Sequence, residues 1–255
     1  MTTEEFIFDL PLYKKVKISE NSIFQDLQDP RLRVDGYNPI RDTESTFHLK
    51  TPIDYRCTEG EYARTLIFEC QRYGDNLFVM VHFDDSEDED YIEKVGQYPS
   101  VADMHIAQIK QYSKVLGKDY LRDFTRAIGL AANGVGTGSY VYLRRIFEHL
   151  VDEISKTAIA ASEIDKEAFN TSKMDNKLKM LENHLPDVMK DNKSLYGVLS
   201  KGIHELSEKD CLLYFPVLRQ VIELILDDIE YTRQKEQKKK EAHNKLSAIV
   251  GEIKK

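Results

Sequence analysis

At Pro99 the spacing of apolar residues along this chain changes from two to roughly 3.6, so the chain must be built from two kinds of structure. Before Pro99, the short runs EEFIFDL, YKKVKI, STFHLK, RTLIFECQ and NLFVMVHF are rich in Phe, Ile, Val and Thr and are separated by Gly, Pro, Asn and Asp. That pattern predicts strands. Tyr73-Gly74-Asp75-Asn76 predicts a tight turn that folds the last two runs into a hairpin. After Pro99, Ser100 and Asp103 have the spacing of a capping box. They open an apolar series at Met104, Ile106, Ile109, Tyr112, Val115 and Leu116. DYLRDFTRAIGLAANG predicts a second helix stopped by Asn133-Gly134, and SYVYLRRIFEHLVDEISKTAI a third. Shorter helices follow in KMDNKLKMLENHL and KSLYGVLSKGIH. Ser207 to Asp210 then starts a long last helix, in which Pro216 predicts a kink. The expected class is α+β.

With 255 residues, 41% of them hydrophobic, the chain is long enough to bury a substantial core. No run approaches the ~18 apolar residues of a membrane span, and MTTEEFIFDLPLYKK has acids where a secretory signal carries positive charge. These features predict a cytoplasmic protein with no membrane partner. Cys57, Cys70 and Cys211 have no framework spacing, so no disulfide is expected. The net charge of −8 is unevenly placed: residues 1–100 carry 11 Lys+Arg against 21 Asp+Glu. DDSEDED, Asp84 to Asp90, lacks the interleaved glycine of a calcium loop and predicts a solvated loop. Arg233 to Lys255 holds eight basic and three acidic residues, so attraction to RNA or DNA would act there, through Arg233, Lys235, Lys238, Lys239, Lys240 and Lys245.

GVGTGS, Gly134 to Ser139, precedes a helix but lacks the strand of a dinucleotide fingerprint and the lysine of a P-loop. It reads as a tight interhelical connection. Leu213, Val217, Val221, Ile222, Ile225, Leu226 and Ile229 predict a core stripe on the last helix. From Thr232 to Lys245 only Ala242 is apolar, so that stretch is expected in solvent. Leu246, Ile249, Val250 and Ile253 then restore an apolar face with nothing of its own to cover it. That face predicts packing on a second copy or a companion protein.

RRIFEHL places Arg144 and His149 with four residues between them, the arginine-to-histidine motif of the HEPN family (higher eukaryotes and prokaryotes nucleotide-binding). Five helical positions turn these two side chains ~140° apart, whereas Arg145 and His149 share a face. KVGQYPSVAD, RAIGLAANGVGTGSYVYLRRIFE and LYGVLSKGIHELSEKD resemble an uncharacterised bacterial helical family related to HEPN domains. The resemblance implies a HEPN-like helical fold with His204 in the place of the active histidine. The positions where its arginine belongs hold Leu199, Val198 and Gly197. His204 is therefore also read as a helix end packed on the last helix. The same family implies a zinc ribbon in the N-terminal region, where this chain has Asn38, Arg41 and Tyr73 at ligand positions and keeps Cys70 alone. One thiolate does not make a structural zinc site. His48, Cys57, Cys70 and His82 form no knuckle spacing, so no metal and no cofactor are expected, and aromatic packing is expected to hold the ribbon.

The sequence thus predicts a β-rich ribbon-like module over 1–93, a HEPN-like helical domain over 94–232 and a basic, then amphipathic, helical tail over 233–255. The favoured function is a non-catalytic binding or regulatory protein of a bacterial antiviral defence or nucleic-acid-associated system. The alternatives are a metal-independent ribonuclease using Arg144, Arg145, His149 and His204, and a structural oligomerisation module.

Overall fold

The computed structural model describes residues 1–57, 61–84 and 90–253, and the fold is α+β: a curled antiparallel sheet followed by helices. The acidic run expected as a solvated loop falls mainly at residues 85–89, outside the described residues. The strands are β1 (Val16–Lys17), β2 (Arg33–Asn38), β3 (Thr43–Leu49), β4 (Ile53–Arg56), β5 (Glu61–Cys70), β6 (Asn76–Asp84) and β7 (Tyr91–Tyr98). They are ordered β1-β7-β6-β5-β3-β2, with β4 also on β5. β5 and β6 form the expected hairpin. Its turn is closed by the Gly74 amide donating to the Cys70 carbonyl at 2.9 Å, with Gly74 at φ +73°. Alternation along these strands sends Leu66, Phe68, Cys70, Leu77, Val79 and Val81 into one core, while Phe78 and Met80 face outward.

EEFIFDL is not the predicted strand. Glu5–Asp9 forms one π-helical turn, with the Leu10 amide donating to the Glu5 carbonyl at 2.9 Å. Phe6, Ile7 and Phe8 are all buried, and a strand would have sent neighbouring side chains to opposite faces. The turn lays all three against the sheet. A Cβ on Gly36 of β2 would stand 2.5 Å from the Phe8 ring, so the absence of a side chain there admits the phenyl group. YKKVKI contributes only the two residues of β1, paired with β7.

Lys94 of β7 lies beneath this N-terminal turn and is fully buried. Its Nζ donates to the Ile7 carbonyl and to Gln97 Oε1, both at 2.8 Å. Burial pulls its pKa down from 10.5 to about 7, with the charge of Asp9 opposing. A neutral amine keeps the two N–H donors that these acceptors require.

Beyond the sheet come α1 (Ile23–Asp26), which lies between β1 and β2 in the chain, then α2 (Val101–Met104), α3 (Ile106–Lys110), α4 (Ser113–Ala132), α5 (Gly136–Ala160), α6 (Lys166–Thr171), α7 (Met174–Met180), α8 (Asp187–Asp191), α9 (Leu195–His204) and α10 (Glu208–Ile253). Ser100 and Asp103 form the predicted capping box. The single helix expected after it is broken into α2, α3 and the start of α4, and Gly117 at φ +67° interrupts α4 as well. α5 is central: Tyr140, Leu143, Ile146, Phe147 and Leu150 are buried against α4, α9 and α10. A Cβ on Gly202 of α9 would fall 1.8 Å from the Tyr140 ring, so α9 seats on α5 only through that glycine. β7 runs through position 94 to Tyr98, and the change to helix falls at Pro99. α10 continues unbroken through Pro216 and through position 233.

Between pH ~7 and ~10.5 the unfolded chain holds a proton on Lys94 that the folded chain lacks, so stability rises with pH across that window and levels off below it. Thermal melts of wild type are expected to climb from pH ~7 to ~10 at up to about 1 kcal/mol per unit. Lys94→Met should flatten that slope. An equal slope in both chains would assign the effect elsewhere.

Candidate functional site

The two hairpin ends named from the ribbon resemblance lie side by side. Asn38 closes β2 and is buried. Its Oδ1 accepts from the Ile40 amide at 3.0 Å, and its Nδ2 donates to Asp75 at 3.4 Å. Arg41 forms a two-pronged pair with Asp75, Nε at 2.8 Å and Nη2 at 2.9 Å, and its guanidinium lies 5.4 Å from the Tyr73 ring centre. The Arg41 guanidinium, with the Asn38 amide, holds the Asp75 carboxyl below the usual carboxylate range. Burial raises the Cys70 thiol, but the amides of Tyr73 and Arg72 and the side chains of Ser45 and Asn38 outweigh it and hold the thiol below its ordinary value. An ion pair and cation–π contacts join the hairpin ends, while the expected aromatic packing lies in the sheet's core, where Phe8 meets Phe47 and Phe83 meets Phe24 and Tyr62. His48 lies 3.9 Å from Glu69, His82 3.7 Å from Glu93, and Cys57 is exposed, so the residues weighed as a metal set have separate surroundings. Among the described residues, no three His, Cys, Asp or Glu are grouped to hold a metal.

The HEPN candidates are not brought together. Arg144 of α5 donates to Glu148 Oε1 at 2.9 Å and to the Tyr196 hydroxyl at 2.8 Å, and that hydroxyl donates back to Glu148 at 3.1 Å. Arg145 turns to Asp123 of α4, 3.2 Å away, instead of pairing with His149. Asp123 is buried and also receives Arg126 at 3.5 Å. His149 stacks flat on Tyr120, ring centres 3.7 Å apart. Burial depresses the His149 pKa, with Glu153 opposing, so the imidazole favours its neutral form and acidification through this window costs stability. His204 ends α9 exposed, not packed on α10 as expected. Eight residues separate it from Tyr196, about 12 Å along the helix.

The glycine run is a close interhelical contact. A Cβ on Gly136 would stand 2.8 Å from Cys211 Cβ and 2.9 Å from the Glu208 carbonyl oxygen. The Glu208 carboxylate sits at the N-terminus of α5, accepting from the Thr137 amide at 3.2 Å and the Thr137 hydroxyl at 2.7 Å. These bonds hold its pKa below the usual range. The place where a helix N-terminus would receive a phosphate is filled by a carboxylate of the same chain.

α10 has 46 residues and is about 69 Å long. Its inner face is Cys211, Phe215, Leu218, Ile222, Ile225 and Leu226. Leu213 and Val217, expected in that stripe, are 65% and 61% exposed. From Tyr231 to Val250 the described side chains are exposed, except for half-buried Arg233, which is bonded to Glu230. Lys239 pairs with Glu236, while Lys235, Lys238, Lys240 and Lys245 project into solvent with Leu246, Ile249 and Val250. The side chain of Ile253 lies outside the described part. A cleft of about 820 Å³ opens where α10 leaves the body, between Lys114, Leu150, His184 and Arg233. Of the predicted site residues only Arg233 reaches it.

No family model, curated protein or solved structure matches this chain. Among the described residues no helix is long and apolar enough to cross a membrane.

Each arginine of the HEPN-type motif is already neutralised within the fold, and among the described residues neither histidine is hydrogen-bonded to one. Of the groups that hold these arginines, Glu148 lies within RRIFEHL and Tyr196 within LYGVLSKGIHELSEKD, whereas Asp123 lies outside the motifs that suggested a site. Helical spacing alone accounts for the Arg144–Glu148 pair; the Tyr196 contact crosses 52 residues.

If the Arg41–Asp75 pair joins the hairpins, Arg41→Ala and Asp75→Ala should each lower the thermal midpoint, and the double variant should fall little further than either alone. Fully additive losses would place the stabilisation outside this pair.

Proposed function

We propose that this protein is a non-catalytic binding component of a bacterial antiviral defence or nucleic-acid-associated assembly, with α10 as its contact surface. One observation carries the reading: α10 leaves the body after Ile229 and continues for more than twenty residues with basic and apolar side chains in solvent. A helix this polar and unsupported gains little by itself from the ends of a fold. Its basic run, Arg233 to Lys245, suits a polyanion such as RNA or DNA. The assembly context rests on the HEPN resemblance, and the reading places the protein in the cytoplasm, which suits its three free cysteines. The ribonuclease alternative is weaker, because Arg144 and Arg145 are tied to Glu148, Tyr196 and Asp123, away from exposed His204.

Full-length chain and a chain ended after Thr232 are compared by RNA and DNA mobility shift, with cleavage followed in EDTA. The full chain is expected to retain nucleic acid uncut, with affinity falling at least ~tenfold between about 50 and 200 mM salt. The shortened chain is expected to lose that retention. Cleavage in EDTA that disappears in His149→Ala or His204→Ala would establish the ribonuclease reading in its place.

A further inference from the structure

On a helix of about 3.6 residues per turn, Leu213, Val217, Leu224, Tyr231, Leu246 and Ile249 of α10 fall within about 60° of one another. All six are exposed, from 46% at Leu224 to 68% at Tyr231. They lie on the side opposite the core-facing Phe215, Leu218, Ile222 and Ile225. The apolar face of the tail is therefore the continuation of an apolar stripe that already runs along the outside of the folded body. Among the described residues nothing covers either part, and the two parts stay in phase across the polar stretch from Thr232 to Lys245.

The charge along α10 is polarised. Glu208 to Glu230 holds six acids and two bases, whereas Tyr231 to Ile253 holds six bases and three acids. Two such helices laid parallel would set like charge beside like charge. Laid antiparallel, each acidic half meets a basic half, and the helix dipoles also oppose favourably.

The geometry points to a second copy of this chain as the occupant of the stripe, in a two-fold antiparallel pair of α10 helices. The inference rests on the reading of α10 as the contact surface and names its partner. The helix midpoint falls between Glu230 and Tyr231, and pairing centred on Tyr231 brings Leu213 opposite Ile249. The same centring sets Lys235 opposite Asp227 and Lys239 opposite Glu223, whose carboxylates already accept from Tyr112 and Arg219 within the fold. Each partner's tail then lies along the outer side of the other's α10, with the body behind that helix. The two bodies sit at opposite ends on opposite sides, which leaves them free of collision. Such an arrangement is isologous and closes at two copies.

Three measurements test this. Light scattering of wild type should give twice the 29.6 kDa of one chain. Leu213→Glu combined with Ile249→Glu, which sets glutamate against glutamate, should halve that mass with an unchanged circular dichroism spectrum, since both side chains are exposed in the folded chain. In a Cys57→Ser background, Leu213→Cys and Ile249→Cys chains should form a disulfide-linked dimer when mixed and oxidised, and neither should do so alone. A wild type that stays single at every concentration overturns the pairing, as does a dimer indifferent to the glutamates. Cross-linking of the Leu213→Cys chain to itself overturns the antiparallel sense. A single-chain wild type whose RNA retention still depends on the tail would end the pairing and leave the binding reading standing; a dimer without retention would do the reverse.

Discussion

Burial of one face of α10 is the constraint on which the helical region depends. Phe215, Leu218, Ile222, Ile225 and Leu226 close the core formed by α4 and α5, and each removes an apolar side chain from water for about 2 kcal/mol. Polar and steric fits at the two ends of that face fix its placement. Gly136 admits Cys211 at the start, and the Tyr112 hydroxyl donates to Asp227 at 2.8 Å near the finish. Past Ile229, among the described residues, the helix is held by its own backbone and by pairs such as Glu236–Lys239.

Elsewhere the fold neutralises its charges internally. Asp123 gathers Arg126 and Arg145, Asp75 takes both prongs of Arg41, and Glu208 sits on the amide end of α5. In each case a residue type that carries catalysis or phosphate binding in other proteins is occupied by a neighbour within the same fold. On α10 beyond Ile229, by contrast, lysine and apolar side chains face solvent.

Much of the architecture is legible in the residues. The change of period at Pro99, the capping box at Ser100, the stop at Asn133-Gly134 and the turn at Gly74 are local signals, and each stands where its chemistry requires. EEFIFDL reads wrongly as a strand because β-rich composition does not reveal three consecutive side chains that all need burial. Leu213 and Val217 read wrongly as inward because α10 is apolar on two sides near its start, and periodicity alone cannot say which side meets the body. The candidate site is less legible. Positions 38, 41, 70 and 73, read together from the resemblance, do meet, yet Asp75, which holds Asn38 and Arg41, has only the signature of a turn residue. Helical spacing predicts Arg144 with Glu148; it has no means of finding Asp123 or Tyr196.

The segment between Tyr231 and Leu246 has a consequence for how this chain tolerates insertions and deletions. Every residue added to or removed from a helix shifts all later residues by about 1.5 Å and turns them by about 100°. Losing two residues there would swing Leu246 and Ile249 to the far side of α10 from Leu213 and Val217, although composition and charge barely changed. Losing seven would restore the phase while shortening the reach by about 10 Å. The lysine-rich stretch is therefore quantised in length, a constraint separate from any on its charge.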